Sequence, residues 1–422
     1  MMKRLSVISF AYLIFIAHFC DLSGQAEVGW RGVNRSGVFN ETGLLRLWPA
    51  GGPQLLWTNL ELEKGNSSPA FGKDKIYITG NRGSDDILYA LSMQGKILWQ
   101  TVIGRAWTAS YPESRATPTV DGDRVYTSSG YGDLACVEGT SGKIIWAGKV
   151  SEMNKGTYGS WGIAEALIID GNKIYFTTGG PETMTVALNK NTGETIWRSP
   201  SINDKPGYVS PVLVSYAGLK IIINVSMNNV FAVNAANGEI LWTIKNDLST
   251  DPDLRRWDLI KCTTPLYNNG MVYITGGYDT GGMMIRLSDN GRGAEVLWKD
   301  TILDNHHGGV VLVDGYIYGS NWINNSTGNW CCIDWKTGKK MWEEAWNCKG
   351  SVISAEGMLY IYDERRGNVG LLKADPEKFD LVSSFQITEG KSGPFWAHPV
   401  INKGILYIRH TNALMAFDIK RK

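Results

Sequence analysis

The chain has little of what marks most protein classes. It carries almost no net charge: 42 basic against 41 acidic residues leave +1 over 422 residues. With neither an excess nor a clustered stripe of Lys and Arg, a nucleic-acid-binding surface is excluded. Cysteines number only six, none at a CxxC or Cys/His spacing suited to zinc. The five beyond residue 26 (Cys136, Cys262, Cys331, Cys332, Cys348) are too scattered for a disulfide framework, so packing must hold the fold. No Ala/Leu/Glu/Lys stretch shows a 3.6-residue period, which argues against long helices. After the first 26 residues no apolar run is long enough to cross a bilayer.

Glycine (49), tryptophan (17) and tyrosine (18) are present instead, spread along the whole chain. Short runs of alternating hydrophobicity, such as Lys75-Ile-Tyr-Ile-Thr79 and Arg124-Val-Tyr-Thr-Ser128, read as half-buried strands. The class is all-β. Residues 1–26 read as a secretory signal: Lys3 and Arg4, an apolar core over 5–19, and Gly24-Gln25-Ala26 as a cleavage site. An uncleaved anchor and acylation at Cys20 are the alternatives, the latter disfavoured because His18 and Phe19 precede that cysteine. The expected location is periplasmic or secreted, with residues 27–422 forming one domain.

One unit repeats along that domain. A turn of the form x-Gly-(Lys/Glu) runs into an apolar pair and a tryptophan in Gln94-Gly-Lys-Ile-Leu-Trp99, Ser141-Gly-Lys-Ile-Ile-Trp146, Thr192-Gly-Glu-Thr-Ile-Trp197 and Asn237-Gly-Glu-Ile-Leu-Trp242. Arg292-Gly-Ala-Glu-Val-Leu-Trp298, one residue longer, and Thr337-Gly-Lys-Lys-Met-Trp342 continue the series. Between tryptophans lie a short strand opened by Pro or a small residue, a glycine turn, an apolar-Tyr strand and a Leu-x-Ala-Leu strand. Four antiparallel strands per unit make a propeller blade. Two later units lack the tryptophan, and the last stops after three strands. Gln54-Leu-Leu-Trp57 is then expected to supply its fourth strand, closing eight blades and leaving no open edge. The recurring tryptophans are read as wedges between blades rather than ligand residues.

These repeats resemble the pyrroloquinoline-quinone-type propeller repeat, and the opening Trp30-Arg-Gly-Val-Asn-Arg-Ser-Gly37 looks like the lead of exported families that carry it. Members include quinoprotein-like proteins and proteins similar to BamB. The resemblance implies an eight-bladed propeller; it says little about activity, because the repeat encodes blade packing.

In a propeller the connections from each outer strand to the next inner strand converge on one face. Read that way, the candidate ligand face carries Glu113, Arg115, Trp161, Glu165, Tyr208, Asp258, Lys261, His306, His307, Lys349, Trp396 and His398. His306-His307 has no partner spacing for a metal, and no metal is assigned. His398 is weighed both as a ligand or acid–base group and as a satisfied structural histidine. Cys331-Cys332 invites comparison with the vicinal disulfide of quinone-dependent alcohol dehydrogenases. The pair lies in a blade strand, however, so its side chains should point to opposite faces as small buried hydrophobes.

Three functions follow. The favoured one is a non-catalytic binding or scaffold module of the cell envelope, a monomer recognising an envelope protein, a glycan or a small molecule. The alternative is a pyrroloquinoline quinone- and calcium-dependent alcohol or sugar dehydrogenase, with Glu113, Glu165 or Asp258 as candidate carboxylates. The third is a hydrolase or lyase using rim His and Glu residues.

Overall fold

The computed structural model describes residues 29–246 and 260–421. The expected signal segment, Cys20 and Asp258 lie outside the described residues. Eight sheets ring a central axis as an eight-bladed propeller. Blade 1 is Ala70–Phe71, Lys75–Arg82, Asp85–Ser92 and Ile97–Arg105, inner to outer, and blades 2 to 7 follow the same order. Blade 8 contains Val400–Asn402, Ile405–His410 and Ala413–Asp418, and its outer strand is Gln54–Asn59 from the other end of the chain. Leu55 pairs with Phe417 and Thr58 with Met415 in that closure. Among the described residues no helix is long and apolar enough to cross a membrane.

The core lies mainly in the seams between blades. One buried cluster joins Tyr77 and Leu88 of blade 1 to Val125 and Ala135 of blade 2, and another joins Tyr175 of blade 3 to Phe231 of blade 4. Where a repeat carries both signature aromatics they meet inside their own blade: Tyr77 on Trp99 at 5.9 Å, Tyr175 on Trp197 at 5.7 Å, Tyr273 on Trp298 at 5.7 Å between ring centroids. Each tryptophan then reaches forward. Trp57 Nε1 donates to the Met93 carbonyl, Trp99 to Gly139, Trp146 to Lys190 and Trp342 to Asp375, in each case at or beside the outer turn of the next blade.

The turn glycines belong to the same device. A Cβ on Gly142, at φ +77°, would sit 2.7 Å from the Trp99 ring; one on Gly238 would sit 2.6 Å from Trp197. The Gly and the Trp recur together because each turn packs under the preceding blade's indole. Trp242 is the exception, with its buried Nε1 lacking a partner. The turn it would meet in blade 5 is the one lengthened by a residue. Gly142→Ala should therefore cost about 2 kcal/mol or more, combining left-handed backbone strain with a ring clash. Gly122→Ala, at φ +60° but with nothing within 4 Å, should cost only the backbone part. Urea denaturation midpoints of the two variants provide the comparison.

The cysteine pair behaves as strand alternation requires. Cys331 packs with Leu303 and Ile317, Cys332 with Tyr318 and Trp342, on opposite faces of blade 6. Both thiols are free.

The N-terminal segment adds a feature that the repeat does not announce. Residues 30–37 thread the axis, Val38–Phe39 pairs in parallel with the inner strand Gly350–Ala355 of blade 7, and Glu41 then caps the Lys403-Gly404 turn on the far face. The far end of the central channel is thereby plugged.

Candidate functional site

A cavity of about 320 Å³ lies on the axis, within the range of small-molecule sites. Eight of the twelve expected face residues line it: Arg115, Trp161, Tyr208, His306, His307, Lys349, Trp396 and His398. Glu113 stands beside it, accepting a 2.7 Å hydrogen bond from Asn66 Nδ2, and Asn66 does line the well. Glu165 and Lys261 turn away. Neighbours Ala164, Ile260 and Cys262 face the cavity instead, as alternation along an extended chain demands. Glu165 accepts from the Thr177 backbone N–H, while Lys261 Nζ lies 3.3 Å from Thr280 Oγ1 in the blade 5 hairpin.

Sequence reading of the outer-to-inner connections missed Tyr278, Glu364, Asn325 and Trp30 in the lining. Tyr278, Glu364 and Asn325 come from turns between second and third strands. In a four-stranded antiparallel blade those turns lie on the same face as the outer-to-inner connections, so strand parity was the available signal. Trp30 comes from the axial plug, and its Nε1 donates to Thr264 Oγ1.

The walls are aromatic. Tyr111 stands 5.3 Å from Trp396, Trp161 is edge-on to Tyr208 at 5.5 Å, and Tyr278 meets His306 at 4.8 Å. Trp30 closes the floor against His398 at 4.7 Å.

The charged groups are largely spent on one another. Lys349 Nζ lies 2.6 Å from Glu364 Oε1, and His307 Nε2 lies 3.4 Å from Oε2. Burial pushes the Glu364 carboxyl up, and the Lys349 ammonium pulls against that shift. His398 is committed at both nitrogens. Arg31 can only donate, so Nδ1 accepts from its Nη1 at 2.8 Å, and Nε2–H donates to the His307 carbonyl at 2.8 Å. That arrangement holds the imidazole neutral. Burial, then Arg31, drive its pKa well below the usual value.

Burial likewise takes His307 down to about 3 and His306 well below 6.5. These three imidazoles should stay neutral from pH 8 to pH 5, with His398 as the Nε2–H tautomer, as ¹⁵N NMR of the ring nitrogens would report. A depressed histidine contributes stability that is present above pH 6.5 and lost as pH falls toward the folded value.

Arg115 is less satisfied. Three of its five N–H donors go to the carbonyls of Glu113, Ser110 and Tyr111, and no carboxylate lies within ion-pair distance among the described residues. Among the described residues its guanidinium thus makes no ion pair, with Asp86 and Glu113 acting on it only through their longer-range field.

The donor set does not fit calcium, the metal that the propeller resemblance brings to mind. Calcium takes about six to eight oxygens. Among the described residues the well's lining offers one carboxylate, Glu364, with one oxygen on the Lys349 ammonium and the other beside the neutral His307 ring. No group of three or more His, Cys, Asp or Glu side chains suited to a metal occurs among the described residues.

Comparison with known proteins agrees with this architecture. The curated outer membrane protein assembly factor BamB of Moranella endobia is 23% identical over 286 residues, covering 63% of this chain and 66% of that one. The Shigella dysenteriae protein of the same name is 27% identical over 191 residues, or 44% of each chain. The chain thus spans from under half to about two thirds of the length of these relatives. Among solved structures, BamB from Moraxella catarrhalis superposes with a TM-score of 0.61 at 14% identity, covering 87% of this chain and 99% of that one. Quinohemoprotein alcohol dehydrogenase from Comamonas testosteroni gives 0.64 at 12% identity over 94% and 81%. At such identities these structural likenesses speak for the fold alone. The sequence profile described as outer membrane protein assembly factor BamB matches residues 84–344, well over half of the chain, and the chain belongs to that family.

Proposed function

We propose that this protein is an exported, non-catalytic binding or scaffold propeller of the cell envelope that holds its ligand in the axial well. The observation that carries this reading is the mutual neutralisation of the reactive groups. Glu364 is held by Lys349 and His307, and His398 is held by Arg31 and a backbone carbonyl. What remains exposed to a ligand is recognition surface: ring faces, the Asn66 and Asn325 amides and the Arg115 guanidinium. Ring faces and oriented donors select and hold a ligand without transforming it. The relatives named as outer membrane protein assembly factors support an envelope role, and an envelope protein, glycan or small molecule is the proposed partner.

The alternative is a pyrroloquinoline quinone- and calcium-dependent dehydrogenase, supported by the shared architecture of the Comamonas enzyme. The test is to incubate purified protein with pyrroloquinoline quinone and calcium, then follow dye-linked oxidation of ethanol and glucose. We expect no turnover above the protein-free background, and recovery of the protein in the envelope or secreted fraction. Dye reduction that scales with added quinone would replace the binding reading with the dehydrogenase. Recovery in the cytoplasm alone would remove the envelope role.

A further inference from the structure

The well continues beyond its own rim. A second cavity, of about 540 Å³, shares Trp161, Tyr208 and Ile260 with it as common walls. Away from that junction the lining is rich in neutral hydrogen-bonding groups, among them Ser160, Asn203 and Asn228. Its carboxylate, Asp204, is consumed by the Ser226 hydroxyl and by the amides of Asn228 and Asn229. Exposed Lys205 stands at the edge with no ion pair among the described residues, as Arg115 does in the well. The combined groove is therefore aromatic where the two cavities meet, amide-rich beyond, and holds a cation in each arm, Arg115 in one and Lys205, next to the Asp204 carboxylate, in the other.

We propose that groove and well together hold an acidic oligosaccharide, its sugar rings against the Trp161 and Trp396 faces and a carboxylate on the Arg115 guanidinium. The assignment rests on the axial binding reading and names its ligand class. A pyranose has an apolar face of C–H groups and a belt of hydroxyls, so an aromatic face beside neutral amides matches it on both counts. A guanidinium with two donors left over is suited to a planar carboxylate. A peptide that binds as an added β-strand would instead need a free strand edge. Here the groove is walled by turns and connections around residues 157–161, 180–181, 203–208 and 227–228, and by Ile260.

Isothermal titration with trigalacturonate, cellotriose, triglutamate and pyrroloquinoline quinone separates the classes. Trigalacturonate should bind, with cellotriose at least tenfold weaker. Arg115→Gln should weaken trigalacturonate at least tenfold, and by clearly more than it weakens cellotriose. Trp161→Ala should weaken the trimer more than monomeric galacturonate, because only the trimer reaches across the junction. Arg115 also braces its loop, so the exposed Lys205→Ala variant serves as a second probe, with a loss of about threefold or more expected for the trimer alone. Equal binding of cellotriose, or no effect of either cation, overturns the acidic part. Binding of triglutamate or the quinone but not of trigalacturonate overturns the sugar assignment while the axial binding reading stands. No binding by any of the four overturns the proposal, and quinone-dependent dye reduction overturns the binding reading as well.

Discussion

Replacing Arg409 by methionine should lower the unfolding free energy by about 3–5 kcal/mol, in the range for stripping a buried charged group from its partners. Arg409 is fully buried at the seam where the last blade meets the first. Its Nε donates to the Thr411 carbonyl at 2.9 Å; Nη1 donates to Ser67 Oγ and the Thr79 carbonyl, both at 2.7 Å; Nη2 donates to the Glu63 carbonyl at 3.0 Å. The guanidinium thus ties a blade 8 strand to the entry of blade 1, next to the joint where Gln54–Asn59 completes blade 8. Methionine fills most of the volume and satisfies none of these acceptors. Lysine keeps the charge but, with three donors on one nitrogen, cannot span the same fan of carbonyls, so Arg409→Lys should recover only a minor part. Urea unfolding of the two variants decides the matter. A methionine variant within about 1 kcal/mol of the parent would show that the seam does not depend on this side chain.

Glu165→Gln should change the pH dependence of stability rather than its value in acid. The Glu165 carboxyl is buried, one oxygen has no partner, and burial pushes its pKa from 4.5 up to about 8 despite nearby Arg35. Between those values the unfolded chain has released a proton that the folded chain keeps. Stability therefore falls as pH rises through that window and levels off above it. Glutamine is nearly isosteric and never ionises, so the variant should match the parent near pH 4.5. At pH 8 it should be more stable by a few kcal/mol, since each pH step of one across the window is worth about 1.4 kcal/mol. The histidine contribution has the opposite sign but is common to both proteins and cancels in the difference. Parallel stability curves from pH 4.5 to 8.5 would mean that Glu165 is ionised in the fold.

Much of the ring was legible in the chain because the repeat is periodic and its residues are chosen by packing. The Tyr–Trp contact within a blade and the Trp–Gly contact to the next blade are enforced in most units by the same geometry, so they recur at readable intervals. The closing strand was legible for a related reason: a ring of sheets with a three-stranded last blade must find its fourth strand elsewhere, and Leu55-Leu-Trp57 was the one unassigned copy. The site was only partly legible. Arg115, Trp161, His306 and Trp396 sit on connections whose position follows from strand order. Which way Glu165 or Lys261 points within a connection depends on backbone alternation that irregular loops do not advertise. Glu364 and Tyr278 were hidden in turns that look like any other hairpin.

By itself, then, the amino-acid sequence determined the blade, the number of blades and the way the ring shuts, since these are nearest-neighbour packing problems solved with local residues. Only the tertiary structure decided the chemistry of the axis. Bringing Arg31 to His398 and Glu364 to Lys349 requires the N-terminal plug and several blades to meet at one point, and that juxtaposition of distant residues leaves no periodic trace.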